Sequence, residues 1–585
     1  MNITNPISAD VSGARPHYKF WPKRMPRQLV VPTTSLWHNI AVNALRYPNK
    51  AALVFFDQQT SYAQLLQKAE LLAQYLRGLG VKKGDRVAVG MQNCPQLVIA
   101  HFAVLRLDAV VVPVNPMNRA QELEHYITDP DTAVAITTAD LALDWATASN
   151  ALFNVLPNTL PNTLSEKQGL KHLVITHFAD AFGDAAAGDM PTAWHGWLLG
   201  RHAVPELHGA QAHVWSEALH EVPVNLPPVT ATPQDLAVLP YTSGTTGLPK
   251  GCMHTHSSIM HNAVASGMWA NSSASNVTLC AVPMFHITGC VSVMHAALFG
   301  GATLVIMPRW DRDLAGRLIS RHKVTHWTNI PTMVIDLLAS PSFENYDLSG
   351  LVYIGGGGAA MPQAVAQQLW EQFGLRYAEG YGLTETAAPS HSNPPDATKQ
   401  QCLGVPFISA DARVVDPETL QEMPMGEQGE IIMHGPMNFQ GYWKNPEATA
   451  KAFIEFEGKK FFRSGDLGRM DEDGYFFLTD RLKRMINASG FKVWPAEVEA
   501  LMFRHPAIAE ACIIATKDDY RGESVKAVVV LRKTHLATTQ QNILDWCREN
   551  MAVYKAPRTV QFVDALPKSG SGKVMWRALQ EAEQS

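Results

Sequence analysis

Eleven residues, Tyr241-Thr-Ser-Gly-Thr-Thr-Gly-Leu-Pro-Lys-Gly251, gather three glycines, a run of hydroxyl side chains, one proline and one lysine. That composition suits neither a helix nor a regular strand. Small residues leave backbone N–H groups and hydroxyls able to wrap around phosphate oxygens, and Lys250 adds a cation at the end. A Walker loop requires GxxxxGK[ST], and Gly244, Gly247 and Lys250 do not have that spacing. The stretch reads as a phosphate loop of another kind; the plainer reading is a flexible surface loop, as most Gly/Ser/Thr runs are.

Further stretches point to nucleotide chemistry. "AEGYGLTETA" (378 to 387) begins like a dinucleotide fingerprint but puts Glu385 where the third glycine belongs. A carboxylate beside Thr384 suits Mg²⁺ on a nucleotide phosphate, because Mg²⁺ takes one or two carboxylates plus phosphate oxygens. "GGGGAA" (355 to 360) follows an apolar strand and would let a flat base or an acyl chain approach the backbone. "RSGDLGRMDEDGYFFLTDR" supplies Asp466 as an acceptor for ribose hydroxyls, with Arg481 at its end. "PKSGSGKVMWRAL" places Lys573 on a glycine-flanked turn. Cys252, His254, His256 and His261 could suggest a metal, but two ligands at i, i+2 before a helix are not a zinc spacing. Read alone, His286 in "VPMFHITG" is more often a structural histidine than a functional one.

These pieces need a frame. The 585 residues exceed one ordinary domain. The net charge of −5 offers no basis for nucleic-acid binding, and no run of about 18 apolar residues predicts a membrane span. The seven cysteines are odd in number and unpaired in spacing, which fits a reducing cytoplasm. The N-terminus lacks the order of a signal peptide. Residues 1–34 read as an arm. Its basic, aromatic piece "HYKFWPKRMPRQ" is a candidate peripheral membrane or partner contact; the plainer reading is a segment lying on the body.

From about 50, helices alternate with short apolar strands, as in "SYAQLLQKAELLAQYLRGLG", "DRVAVGM" and "AVVVPVN". The alternation predicts helix-covered parallel sheets. Residues 150–230, with "LPNTLPNTL" and "GDAAAGD", read as a surface insertion without recognisable chemistry. Residues 405–480 read as β-rich. After Arg481 a small α+β unit is expected, with a helix begun by Pro495 and carrying Val498, Leu501 and Met502 on one face. The fold class is therefore α/β, with a large domain over 35–480 and a small one over 481–585.

"TSGTTGLPKG", "GYGLTE", "SGD", "DRLKRMINASG" and "PKSGSGK" occur in the order found in the adenylate-forming superfamily, which the chain resembles from about 35 to 580. That family includes acyl-CoA synthetases, firefly-luciferase-like enzymes and non-ribosomal adenylation domains. The resemblance implies that Thr242, Ser243, Gly244, Thr245, Thr246, Gly247 and Lys250 embrace the ATP β- and γ-phosphates. Gly356, Gly357, Gly358 and Ala359, with Gly380, Tyr381 and Gly382, would flank the adenine. Thr384 would touch the α-phosphate, Glu385 the Mg²⁺, and Asp466 and Arg481 the ribose. Lys573 would reach the carboxylate and the α-phosphate. His286 would wall the acyl pocket from the adenylate. Lys483 would be a hinge about which the small domain turns, bringing Asn487, Ser489, Gly490, Phe491 and Lys492 to the CoA channel.

The implied reaction has two halves. A carboxylate attacks the α-phosphorus to give acyl-adenylate and pyrophosphate, and CoA then displaces AMP. ATP, Mg²⁺ and CoA are the implied cofactors and co-substrates. The acid should lie among residues 260–268, 286–291, 327–332 and 355–360, which are mostly apolar or small and favour an apolar tail. A medium- or long-chain fatty acid comes first and an aryl or aryl-propenoic acid second. A free-standing adenylation enzyme loading a carrier protein is a further alternative, a nucleotide-binding scaffold another, and a homodimer is left open.

Overall fold

The computed structural model describes residues 15–155, 169–183, 186–220, 222–242, 248–481, 484, 486–488, 491–493, 495–518, 522–551, 555–568 and 574–584. The chain forms two compact units. The first comprises Met1–Asp411, Met433–Phe462 and Asp473–Tyr475; the second comprises Ala412–Ile432, Arg463–Glu472 and Phe476–Ser585.

Two large sheets organise the first unit. One has seven strands, in the order His254–Thr255, Leu236–Val238, Val110–Pro113, Arg86–Gly90, Val134–Thr138, His172–Thr176 and Gln211–Val214. All its pairs are parallel except the first. The other has nine strands, with a parallel centre from Tyr377–Leu383 through Tyr353–Gly357, His326–Asn329, Val277–Cys280 and Thr303–Ile306 to Ala51–Phe55. The helix Pro95–Arg106 is buried from Pro95 to Leu105, as an all-round apolar helix must be. The helix Tyr62–Gly78 starts at a capping box, with Ser61 accepting from the Gln64 N–H and Gln64 accepting from the Ser61 N–H. The alternation read from the sequence is thus realised as α/β layers.

The described part of the N-terminal arm, from Arg15, packs within the first unit. Arg15 pairs with Asp411 at 3.1 Å, Phe20 meets the Tyr475 ring at 5.5 Å and Trp21 meets Trp269 at 5.2 Å. His17 is buried there, and desolvation lowers its pKa to about 4. The aromatic residues of the basic piece are therefore engaged with the body.

Residues 150–230 are not merely a surface insertion. His172–Thr176 and Gln211–Val214 extend the seven-stranded sheet, and Leu173, Val174 and Ile175 are buried in it. The low-complexity flanks concealed two strands too short to dominate the local composition.

The second unit holds a sheet in the order Phe491–Val493, Ile486–Ala488, Gly522–Leu531 and Ile508–Asp518, with Thr559–Phe562 parallel to Gly522–Leu531. The helix Pro495–Met502 buries Val498 and Met502 against Ile513, Val525 and Val529. Leu501, expected on the same face, is only half-buried. All seven cysteines are buried and free. Among the described residues no helix is long and apolar enough to cross a membrane.

If His172–Thr176 is integral to the sheet, Leu173→Ala should cost about 2–5 kcal/mol, as core leucines do. Urea unfolding measures this; a loss under about 0.5 kcal/mol, the range of surface positions, would make the segment an appendage.

Candidate active site

The glycine-rich stretch is closed at its base by a strand pair. Tyr241–Thr242 runs antiparallel to Lys250–Gly251, with Thr242 opposite Lys250 and Tyr241 opposite Gly251. Its two ends are therefore strand, contrary to the reading of the whole stretch as loop, because cross-strand bonds fix them. Tyr241 donates to the Asp129 carboxylate at 2.5 Å, and His125 Nε2 donates to the Pro249 carbonyl at 2.7 Å. Ser243, Gly244, Thr245, Thr246 and Gly247 lie outside the described residues.

Glu385 sits on a 3₁₀ turn, Thr384–Thr386, and is only 8% exposed. The helix His256–Trp269 and its lead-in hold that turn. His254 donates from Nε2 to the Thr384 carbonyl at 2.7 Å, and Asn262 donates to the Thr386 and Ala387 carbonyls at 3.0 and 2.9 Å. Burial lowers the His254 pKa to about 4, so it holds the turn as a neutral imidazole. Ala387 and Ala388 follow with φ of 51° and 77°, a backbone that non-glycine residues adopt only under constraint from their surroundings.

A third segment joins hairpin and turn. Met253 donates its N–H to the Gly441 carbonyl at 3.0 Å, Gln440 donates to Met253 at 2.9 Å and Trp443 donates to Gly251 at 2.8 Å. From this segment Tyr442 donates its hydroxyl to Glu385 Oε1 at 2.8 Å, and the Lys250 ammonium lies 5.2 Å from the centre of its ring. Burial and the Glu385 charge raise the Tyr442 pKa, so the phenol keeps its proton and remains a donor. The Phe439 N–H donates to the Glu385 carbonyl at 2.8 Å. Tyr442 was not found from the sequence: 57 positions separate it from Glu385, and neither the aromatic nor its neighbours carry a chemical pattern.

The two glycine runs lie at the ends of adjacent parallel strands, with Gly356 opposite Asn329 and Gly357 opposite Gly380. A Cβ on Gly356 would fall 1.8 Å from the Asn329 carbonyl oxygen, and one on Gly357 would fall 2.2 Å from that of Gly380. These glycines are required by strand packing. Gly358 and Ala359 follow at the turn beyond the strand; Tyr381 and Gly382 continue theirs, and the Tyr381 ring lies 5.7 Å from that of His391. Beside them Glu379 is 6% exposed, accepts from the Gln401 N–H at 2.8 Å, and is pushed by burial to a pKa of about 7. His286 is exposed, with its Nδ1 3.4 Å from the Thr288 N–H, just ahead of the π-helix Gly289–His295. His256 accepts from the Leu36 N–H at 3.1 Å, and His261 contacts Asn262 at 3.1 Å, so both are tied into the scaffold.

In the second unit, buried Asp466 stands opposite Arg481 on antiparallel strands. Asn487 stands opposite Lys492, and Phe491 opposite Ala488, in a short hairpin. Lys483, Ser489, Gly490 and Lys573 lie outside the described residues.

The AMP-binding enzyme family matches residues 40–443, and the AMP-binding enzyme C-terminal domain matches residues 497–573. The chain belongs to the AMP-binding enzyme family. A long-chain-fatty-acid–CoA ligase of Bacillus subtilis (strain 168) is 34% identical over 580 residues, 97% of this chain and 98% of that protein. The 4-coumarate–CoA ligase 2 of Oryza sativa subsp. japonica is 32% identical over 517 residues, 87% of this chain and 84% of that protein. The ATP-bound MatB structure from Rhodopseudomonas palustris has a TM-score of 0.76 at 26% identity, covering 95% of this chain and 99% of that one.

Two outcomes follow from this geometry. Tyr442→Phe removes a hydrogen bond to a charged group, worth about 1.5–3 kcal/mol. ATP–pyrophosphate exchange should fall roughly 10- to 100-fold and need more Mg²⁺, while CoA attack on supplied acyl-adenylate stays near wild type; parallel loss of both would make Tyr442 a fold residue. For Glu379 the sign runs with the proton. Below its ordinary pKa of 4.5 the carboxyl is neutral folded or unfolded, and the protein bears no penalty. Between 4.5 and about 7 only the unfolded chain ionises, so stability falls as pH rises and stays reduced above. Glu379→Gln should therefore gain up to about 3 kcal/mol over wild type at pH 8 and almost nothing at pH 4.5. Equal gains at both pH values would show that the carboxyl does not titrate this way.

Proposed function

We propose that the chain activates a carboxylic acid with ATP and transfers the acyl group to CoA, releasing AMP and pyrophosphate. The observation that carries the reading is the brace: Lys250 and Glu385, far apart in sequence, are tied to one Tyr442 beside the phosphate hairpin. The named ligase relatives support the same reaction class.

A carboxylate is a poor acylating agent, and its attack on ATP brings two anions together. Lys250 and the hairpin N–H groups would take the β- and γ-phosphate charge as pyrophosphate leaves. Thr384 would steady the α-phosphate, and Lys573 would neutralise charge between the acid and the α-phosphorus. Gly356 to Ala359 and Gly380 to Gly382 would hold the adenine, and Asp466 with Arg481 the ribose. No protein nucleophile is needed. Glu385 fits a hard cation: it is a carboxylate, fixed by Tyr442 and set beside the phosphate hairpin. Glu385 would hold Mg²⁺, which would supply positive charge to offset that of the phosphates. Turning about Lys483 would exchange Lys573 for the Asn487 to Lys492 hairpin, with Gly490 passing the pantetheine arm and His286 separating acid from adenylate.

For the acid we propose a medium- or long-chain fatty acid. Met260, Val264, Ile287, Cys290 and Val291, in the segments expected to line it, are buried and apolar. The rice relative, by its name, keeps an aryl-propenoic acid as the second reading.

Half-reactions separate the claims. Lys573→Ala should lose roughly 100- to 1,000-fold in pyrophosphate release, the effect of removing one transition-state contact, yet still convert added acyl-adenylate and CoA to thioester. Gly490→Ile should release pyrophosphate and accumulate acyl-adenylate with little acyl-CoA. Parallel loss of both steps in both variants would overturn the turning-domain reading. An acid panel assayed for AMP release with and without CoA decides the substrate: CoA-independent turnover across the panel would sink the ligase reading, and preference for aryl acids the fatty-acid one.

A further inference from the structure

Glu430 is a buried carboxylate that no step assigned above uses. It belongs to the second unit, is 1% exposed, and sits on the strand Gly429–His434. That strand lies next in its sheet to Lys459–Met470, which carries Asp466. Both oxygens of the Glu430 carboxylate are engaged there. Oε2 accepts from the Arg463 guanidinium, through Nε at 2.9 Å and through a terminal nitrogen, and Oε1 accepts from the Gly465 N–H at 3.1 Å. The ion pair alone does not account for a carboxylate at this place, because packed apolar residues often serve as well as a buried pair. The bond to Gly465 is different in kind: it acts on the backbone one residue ahead of Asp466.

Gly465 has a φ of 69°, in the left-handed region, while a Cβ built on it would meet open space. The direction of the backbone, and not crowding, calls for glycine here. A glycine is also the residue least able to hold such a direction by itself, so the turn depends on what grips it. The two peptide groups that flank Gly465 are both pinned by the neighbouring strand. Glu430 takes the N–H of the first, and Ser464 takes the N–H of the second, that of Asp466, at 3.0 Å. The Ser464 hydroxyl in turn donates to the Ile431 carbonyl at 2.6 Å. With both peptides held, the φ and ψ of Gly465 are fixed, and so is the direction in which the Asp466 side chain leaves the strand. Without Glu430 the first peptide loses its acceptor and the glycine is free to turn.

We propose that Glu430 is a positioning residue for the nucleotide ribose: through the Gly465 N–H it sets the direction of the Asp466 carboxylate that takes the ribose hydroxyls. The role rests on the assignment of Asp466 to the ribose. Calorimetric titration of the full chain with ATP and with 2′,3′-dideoxy-ATP, both with Mg²⁺ and without acid or CoA, reads the hydroxyls alone. Wild type should bind ATP at least about tenfold tighter, as hydrogen bonds to a charged group dictate. Two double variants separate the Gly465 contact from the ion pair, and each removes both charges so that none is left buried and unpaired. Glu430→Gln with Arg463→Met keeps an acceptor for the Gly465 N–H and should keep the preference. Glu430→Met with Arg463→Met removes that acceptor; ATP binding should weaken about tenfold, while the dideoxy nucleotide stays within about twofold of wild type. Wild-type preference in that folded variant, or equal loss in both double variants, overturns the positioning role. Should that variant not fold, Glu430→Asp decides: it keeps the charge for Arg463 but shortens the reach to Gly465 by a methylene, so the preference should shrink, and a wild-type preference overturns the role. A wild type that binds the two nucleotides alike overturns the ribose assignment itself, and the role of Glu430 with it.

Discussion

The hydrogen bond between Tyr442 and Glu385, with the backbone ladder beneath it, is the constraint on which the rest of the site depends. A carboxylate buried beside a loop proposed to hold phosphates is under two pressures. Desolvation favours its neutral form, and approaching anions do the same. A phenol donor and the nearby Lys250 favour the charged form a cation needs. The ladder between 251–253 and 439–443 adds geometry to charge, because its bonds, with the Phe439 N–H on the Glu385 carbonyl, fix the base of the hairpin relative to the turn.

The scaffold around that bond is polar but uncharged. His101, His254, His256, His261, His295 and His391 are buried, and desolvation lowers the pKa of each. Imidazoles so placed serve as hydrogen-bonding spacers: His254 carries the Thr384 carbonyl and His256 the Leu36 N–H. Had they been protonated, a fixed positive layer would compete with Lys250 for phosphate and for Glu385. His254, His256 and His261, in the stretch that resembled a metal cluster in sequence, are each tied into the scaffold by a hydrogen bond.

Legibility followed the range of each interaction. Helices with a periodic face and an end signal were readable, as with Tyr62–Gly78 by its amphipathic pattern and Pro495–Met502 after its proline. The parallel-sheet class was readable because buried strands advertise themselves as β-branched runs. The strands at 172–176 and 211–214 were not, since each is short and pairs with a neighbour 38 or 39 positions away. Candidate site residues set in dense local motifs could be named from the sequence, Glu385 beside Thr384 and Lys250 at the end of its loop. Tyr442 and Glu379 were not: their chemistry comes from burial and from partners that only the fold supplies.

The glycines show the converse limit. Read along the chain, "GGGGAA" and "GYG" leave room for a ligand. In the folded sheet, Gly356 and Gly357 are first a matter of two backbones approaching within carbonyl contact, so any side chain would break the strand pairing before it met a nucleotide. The two requirements are one piece of geometry. Parallel strands drawn this close end in a smooth, side-chain-free floor, and a flat base needs such a floor to lie against. Selection for the sheet and selection for the ligand would then fall on the same residues. A glycine motif at a strand end accordingly marks where a planar ligand could lie, while the identity of that ligand has to come from charged groups elsewhere; in the function proposed above these are Lys250 and Glu385.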